Sequence, residues 1–137
     1  MRSMKYWLMK SEPSAYSIDD LERDGTTNWD GVRNFQARNF LRAMKSGDKV
    51  LFYASSADPP GVTGLAEVSG DARPEKKDPN WSMVEIRFVK KFEEIIPLDT
   101  LKATKGLEKM VVVQKGTRLS VQPVTKAEFD IVTKLAR

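Results

Sequence analysis

Two kinds of run succeed one another along the chain: segments apolar on both parities, and segments whose apolar residues recur at fixed intervals. Met4-Lys5-Tyr6-Trp7-Leu8-Met9 is aromatic-rich and apolar on both parities, the mark of a strand buried on both faces. Lys49-Val50-Leu51-Phe52-Tyr53-Ala54 has the same character. Val62 to Val68 reads as a third strand, in which Gly64 marks a bend or a close backbone approach. Met83 to Phe92 sets Val84, Ile86 and Phe88 against Glu85, Arg87 and Lys90, a strand with one wet face. Arg118 to Val121 is a short strand. Helical spacing appears over residues 35–45, capped by Asn34, where Ala37, Phe40, Leu41 and Met44 form a stripe and Phe35 falls off it. Ser17-Ile18-Asp19-Asp20 begins another helix, stapled by Tyr16 and Leu21, and Pro97 starts a short one through Leu101. Thr125-Lys126-Ala127-Glu128 is a capping box, with Val124 and Phe129 as its staple and Ile131, Val132 and Leu135 directed inward. Gly106 to Val113 is compatible with helix or strand. Residues 24–28, leading into Trp29, read as a loop. Residues 71–80, with Pro74 and Pro79, read as a long exposed one. Strands interspersed with helices give an α+β fold, with a strongly bent mixed sheet closing toward a small barrel.

The 137 residues make one domain, 1–137, large enough to bury a core without staples. No apolar run approaches the ~18 residues of a membrane span, and the N-terminus lacks a signal-peptide pattern, so the protein is expected to stay in its compartment of synthesis. That compartment is cytoplasmic for a bacterial chain and nuclear for a eukaryotic one. A monomer with no membrane partner is the expectation. With no cysteine, disulfides, thiol nucleophiles and thiolate metal sites are excluded. With no histidine, the Ser–His and Cys–His relays and the commonest metal ligand go too. Binding becomes a better reading than catalysis, with no cofactor and no metal.

The net charge of +4, from 23 basic and 19 acidic residues, is a mild excess. Its distribution says more. Arg33, Arg38, Arg42 and Lys45 lie between Gly31 and Gly47 with no acid after Asp30, and at about 100° per residue Arg38, Arg42 and Lys45 fall together beside the apolar stripe. From Lys102 onward eight basic residues face only Glu108, Glu128 and Asp130. Such clusters are the footprint of a polyanion binder, and equally of a solvated face.

No phosphate-cradling motif is present; Lys115-Gly116-Thr117 matches only the tail of one and reads as a turn. Asp19-Asp20 is explained by helix capping rather than by a metal. Three segments are less easily explained by packing. Lys10-Ser11-Glu12-Pro13 sets two charges and a hydroxyl at the end of a buried strand. Trp29-Asp30-Gly31-Val32-Arg33-Asn34 carries a large aromatic in a loop that ends at a helix N-terminus. Phe52-Tyr53-Ala54-Ser55-Ser56 ends another buried strand with an aromatic and two hydroxyls.

Tyr6-Trp7-Leu8-Met9-Lys10-Ser11-Glu12-Pro13 resembles the opening signature of the EVE domain family. Trp29-Asp30-Gly31-Val32-Arg33-Asn34-Phe35-Gln36-Ala37-Arg38-Asn39 resembles its second block. Gly47-Asp48 through Tyr53, the Val62 to Val68 strand, Asp78-Pro79-Asn80-Trp81 and Arg118-Leu119-Ser120-Val121-Gln122-Pro123-Val124 follow in order, so the resemblance spans essentially the whole chain. It implies a fold similar to PUA and YTH domains, a bent mixed sheet forming a pseudo-barrel flanked by helices. It also implies a reader of modified nucleobases, which holds a base taken out of its stack. Trp29 would be one wall of an aromatic cage, a contact worth ~1–3 kcal/mol. Where YTH domains place an asparagine after Lys-Ser, this chain has Glu12, and Trp81 reads as packing in its loop corner.

The expectation is therefore a non-enzymatic module that binds a modified base, a methylated or hydroxymethylated cytosine or a methyladenine, carried by DNA or RNA. Trp29 would stack, while Ser11 and Glu12 would read the base edge, the Glu12 carboxylate accepting from an exocyclic amine. Lys10, Pro13, Val32, Tyr53, Ser55 and Ser120 would line the pocket, and Arg33 and Asn34 would fix its loop. Arg33, Arg38, Arg42 and Lys45 would hold phosphates. The alternative is a small enzyme acting on a nucleotide or base through Glu12 and Lys10 buried together.

Overall fold

The computed structural model describes residues 3–116 and 118–136, so Thr117 of the expected turn lies outside the described residues. Seven strands, β1 (Tyr6–Ser11), β2 (Thr26–Trp29), β3 (Lys49–Ala54), β4 (Gly61–Val68), β5 (Arg73–Pro74), β6 (Ser82–Pro97) and β7 (Val121–Val124), form one mixed sheet. They run in the order β2-β6-β4-β3-β1-β7, with β5 paired to β6. The β1–β3 pair is parallel and the other pairings are antiparallel. Helices α1 (Ile18–Asp24), α2 (Phe35–Ala43), α3 (Leu98–Ala103) and α4 (Lys126–Leu135) flank the sheet.

The double parity of the central strands has a direct cause. Trp7 and Met9 of β1 and Val50 and Phe52 of β3 point into one core, with Ile18, Leu21, Trp29, Ala37 and Leu41. Leu8, Leu51 and Tyr53 point into a second core on the other face, with Leu101, Leu107, Met110 and Val132. A two-sided strand is apolar throughout because each face is covered by helices. β6 serves both cores by a different device. Its register against β4 slips between Ala66↔Phe88 and Leu65↔Lys90, leaving Val89 as an extra, exposed residue. The bulge flips parity and bends the strand. Val84 and Ile86 therefore face the first core, and Phe92 and Ile96 the second. Gly64 lies close to the bend, and a Cβ there would meet the Lys90 carbonyl and stand 2.9 Å from the Ile18 side chain, so the close approach read from sequence is present.

Several elements depart from the sequence reading. Residues 26–29 are not loop but β2, an edge strand whose only deeply buried side chain is Trp29; backbone pairing to β6, Thr26↔Arg87 through Trp29↔Val84, forms it without an apolar pattern. The strand placed at Arg118–Val121 lies at Val121–Val124, and Pro123 is tolerated because β7 is at the sheet edge. Gly106 to Val113 resolves into a turn and a short 3-10 segment at Val111–Val113. The strand expected over Met83–Phe92 continues to Pro97, its pattern broken at the bulge. Leu135, expected inward, is exposed. The caps are as read: Ser17 with Asp20, Asn34 onto Ala37, and Thr125 with Glu128.

Candidate nucleic-acid interface

The two ends of the sheet approach each other across a cleft of about 470 Å³. Lys10 and Ser11 from the end of β1 and Ser120 ahead of β7 form one side; Thr27, Asn28 and Trp29 of β2 and the loop from Asp30 to Asn34 form the other. Tyr16 closes the end between them. The volume is within the ~300–1,000 Å³ usual for small-molecule sites.

Backbone geometry fixes the β1 side. The Lys10 N–H donates to the Ser120 carbonyl at 2.8 Å, and the Ser55 N–H donates to the Ser11 carbonyl at 2.9 Å. The Ser11 hydroxyl donates to the Tyr16 carbonyl at 2.6 Å. The Glu12 carbonyl accepts from the N–H groups of Ala15 and Tyr16, each at 2.9 Å, which makes the tight turn that points Tyr16 back at the cleft. Lys10 is half-buried, and burial lowers its pKa from the ordinary lysine value.

The opposite rim is held by a carboxylate from a distant segment. Gly31 has φ +75°, a conformation that favours glycine, and its N–H donates to Glu75 at 3.0 Å. Arg33 makes a bidentate pair with the same carboxylate, 2.8 Å to each oxygen. Glu75 is buried, although its segment reads as a charged, exposed loop. The Arg33 guanidinium foremost, and the Gly31 N–H with it, hold the Glu75 carboxyl below the usual carboxylate range. A depressed folded pKa gives stability that is present above the unfolded value of about 4.3 and is lost as pH falls through the folded value. Thermal melts of wild type and Glu75→Gln are thus expected to differ by a constant gap near neutrality that closes below about pH 4. A gap undiminished in acid would remove the charge from the argument.

The structure gathers Lys10, Ser11, Trp29, Val32, Arg33, Asn34 and Ser120 at the cleft. It does not bring in the others. Glu12 is exposed and lies outside the lining of the cleft. Pro13 lines a separate cavity of about 260 Å³ beside α1. Tyr53 is paired with Lys10 in register but lies on the second-core face of the sheet, and burial raises its hydroxyl pKa. Ser55 contributes a backbone bond rather than a wall. Trp29 is 8% exposed, presenting only a margin to the cleft while its ring meets Phe52 edge-on at 5.7 Å.

The arginines assigned to phosphates already have partners within the chain. Arg33 holds Glu75 and lies 5.1 Å over the Trp81 ring. Arg38 donates to the Asn80 carbonyl at 3.0 Å and covers Phe35, which stacks on Trp81 at 5.1 Å. Arg42 donates to the Ser82 hydroxyl and the Asn80 carbonyl. Lys45 stands 3.8 Å from Asp71 in an exposed pair. Phe35 is off the helical stripe because it faces this stack and not the core. The sequence reading missed Tyr16, Asn28 and Asp30 as lining, and Glu75 as the rim's anchor. Asp30-Gly31 carried a turn signal; Glu75, 42 residues from Arg33, carried none.

A family model described as the EVE domain matches residues 5–135. Human thymocyte nuclear protein 1 is 42% identical in a match that covers 95% of this chain and 73% of that protein. The crystal structure of human THYN1 in complex with 5-methylcytosine-containing DNA matches with a TM-score of 0.85 at 41% identity, over 96% of each chain. The YTH domain of Zygosaccharomyces rouxii MRB1, solved with N6-methyladenosine RNA, matches at TM-score 0.58 and 15% identity, over 98% of this chain and 88% of that one, a likeness of fold alone. The family model matches nearly the whole length and the human relative is 42% identical across 95% of it: the chain belongs to the EVE domain family.

Proposed function

We propose that this protein is a non-enzymatic reader of a modified nucleobase, with methylcytosine in DNA as its first candidate ligand. The observation that carries this is the cleft itself: a preformed, base-sized recess with the margin of Trp29 in its wall, in a chain 41% identical to a human protein solved with 5-methylcytosine DNA. Amino and carbonyl edges of a base would meet Ser11, Asn28, Asp30 and the Ser120 region.

The acceptor for an exocyclic amine is Asp30. It is exposed on the cleft, whereas Glu12 lies outside the lining. An ionised carboxylate only accepts, so it favours amino-bearing cytosine or adenine over thymine. Asp30→Asn is expected to weaken methylcytosine binding by about 1 kcal/mol, roughly fivefold, because a charge-assisted bond becomes a neutral one. Glu12→Gln is expected to leave base preference unchanged. Titrations with matched single-stranded oligonucleotides carrying methylcytosine, cytosine, methyladenine or thymine test both. Equal affinity for methylcytosine and cytosine would overturn the reading. The enzymatic alternative needs Glu12 and Lys10 buried together; Glu12 is exposed and Lys10 only half-buried, which favours the binding reading.

A further inference from the structure

The cation that belongs to the cleft also belongs to a second groove. On the other side of the β1 end, a recess of about 460 Å³ is bounded by Lys10, Tyr53, Leu98, Lys102, Val112 and Lys115. Lys10 is the wall between the two, since it lines both. No acidic residue lines this groove among the described residues. Among the described residues, Lys10, Lys102 and Lys115 have no salt-bridge partner, in contrast to Arg33, Lys45, Lys49, Arg87, Lys91 and Lys126. The Lys10 ammonium lies 5.9 Å from the Tyr53 ring centroid and loses part of its hydration there. A half-buried cation that lacks a counter-charge favours any anion that can reach it.

From this juxtaposition, and resting on the base-reading function above, we infer that the Lys10–Lys102–Lys115 groove carries the sugar–phosphate backbone of the strand whose modified base occupies the cleft. The three ammonium groups supply phosphate contacts, and the half-buried Leu98 and Val113 side chains supply an apolar bed for sugar rings. Ammonium groups act on phosphate as point charges and read no sequence, so the groove gives affinity and the cleft gives selectivity. Arg38 and Arg42, held against the 75–82 segment by hydrogen bonds to neutral acceptors, stand outside this groove.

Lys102 and Lys115 are exposed, so their removal leaves the fold intact. The Lys102→Ala/Lys115→Ala double variant is expected to lose affinity equally for methylcytosine and cytosine oligonucleotides. Its log affinity against log salt should be shallower by about 1.4, two contacts at about 0.7 each on a single strand. The Lys102→Arg/Lys115→Arg variant should restore the slope, and Arg38→Gln/Arg42→Gln, which loosens the rim and lowers affinity, should leave the slope itself unchanged. An unaltered slope in the alanine variant, or a slope lost in the Arg38/Arg42 variant instead, overturns the groove assignment. A wild-type protein that binds both oligonucleotides alike, with the slope still governed by the lysines, overturns the base reading and leaves the groove standing. A wild-type protein that binds neither overturns both.

Discussion

Trp29→Ala is expected to destabilise the protein by about 3–5 kcal/mol, the range of a buried aromatic truncation. The family resemblance alone gives this residue a stacking role with the fold independent of it. Its surroundings give it two roles. Trp29 is nine-tenths buried, pairs with Val84 in the ladder, and packs with Phe52, Ala37 and Leu41 in the first core. β2 has no other deep anchor, so the loss falls on a whole edge strand. Domains of this size hold roughly 5–15 kcal/mol in total, so the truncation should lower the melting temperature by about 10 °C or more. Binding measured on that variant would then report unfolding. Trp29→Phe retains a ring against Phe52 and is the variant on which an effect on base affinity can be read. A Trp29→Ala protein that melts within a few degrees of wild type would show that the ring belongs to the cleft and not to the core.

Asp48→Ala should be comparably severe, for a polar reason. Asp48 is 1% exposed, and its carboxylate accepts from the Lys5 N–H at 3.1 Å, the Trp7 indole N–H at 2.9 Å and the Lys45 N–H at 3.1 Å. Three donors from the start of β1 and the end of α2 thus converge on one side chain. Each buried donor left unpaired costs about 1–3 kcal/mol, so alanine should lower stability by about 3 kcal/mol or more. Asp48→Asn keeps one oxygen acceptor and should fall between. Urea unfolding monitored by tryptophan fluorescence separates the three proteins. Equal midpoints for wild type and Asp48→Ala would mean water replaces the carboxylate.

Sequence legibility divides along physical lines. β1 and β3 are plain because burial on both faces leaves few polar positions to confuse the pattern, and the helix caps are plain because capping is a local interaction. β2 and the end of β6 are hidden because ladder pairing and a bulge, not side-chain pattern, determine them. The same distinction applies at the cleft. Ser11, Trp29 and Ser120 stand at or beside strand ends, where display can be read in one dimension. Whether Glu12 or Asp30 faces inward depends on turns that the flanking residues do not specify. The availability of an arginine depends on what lies opposite it after folding. The basic residues after Lys102 show the converse: an unremarkable charge excess acquires meaning because β1 ends beside it.

The straps from α2 to the 75–82 segment make the rim of the cleft a two-part component. Arg33, Arg38 and Arg42 on one side, and Glu75, Asn80, Trp81 and Ser82 on the other, are joined by ion pairs, hydrogen bonds and stacked rings. In a chimera with another member of the family, the two parts form the natural cassette. Transplanting the Trp29–Asn39 block alone would leave Arg33 without its carboxylate and Gly31 without its acceptor. Exchanging both blocks together transfers the rim with its own fastening, without redesigning the sheet beneath.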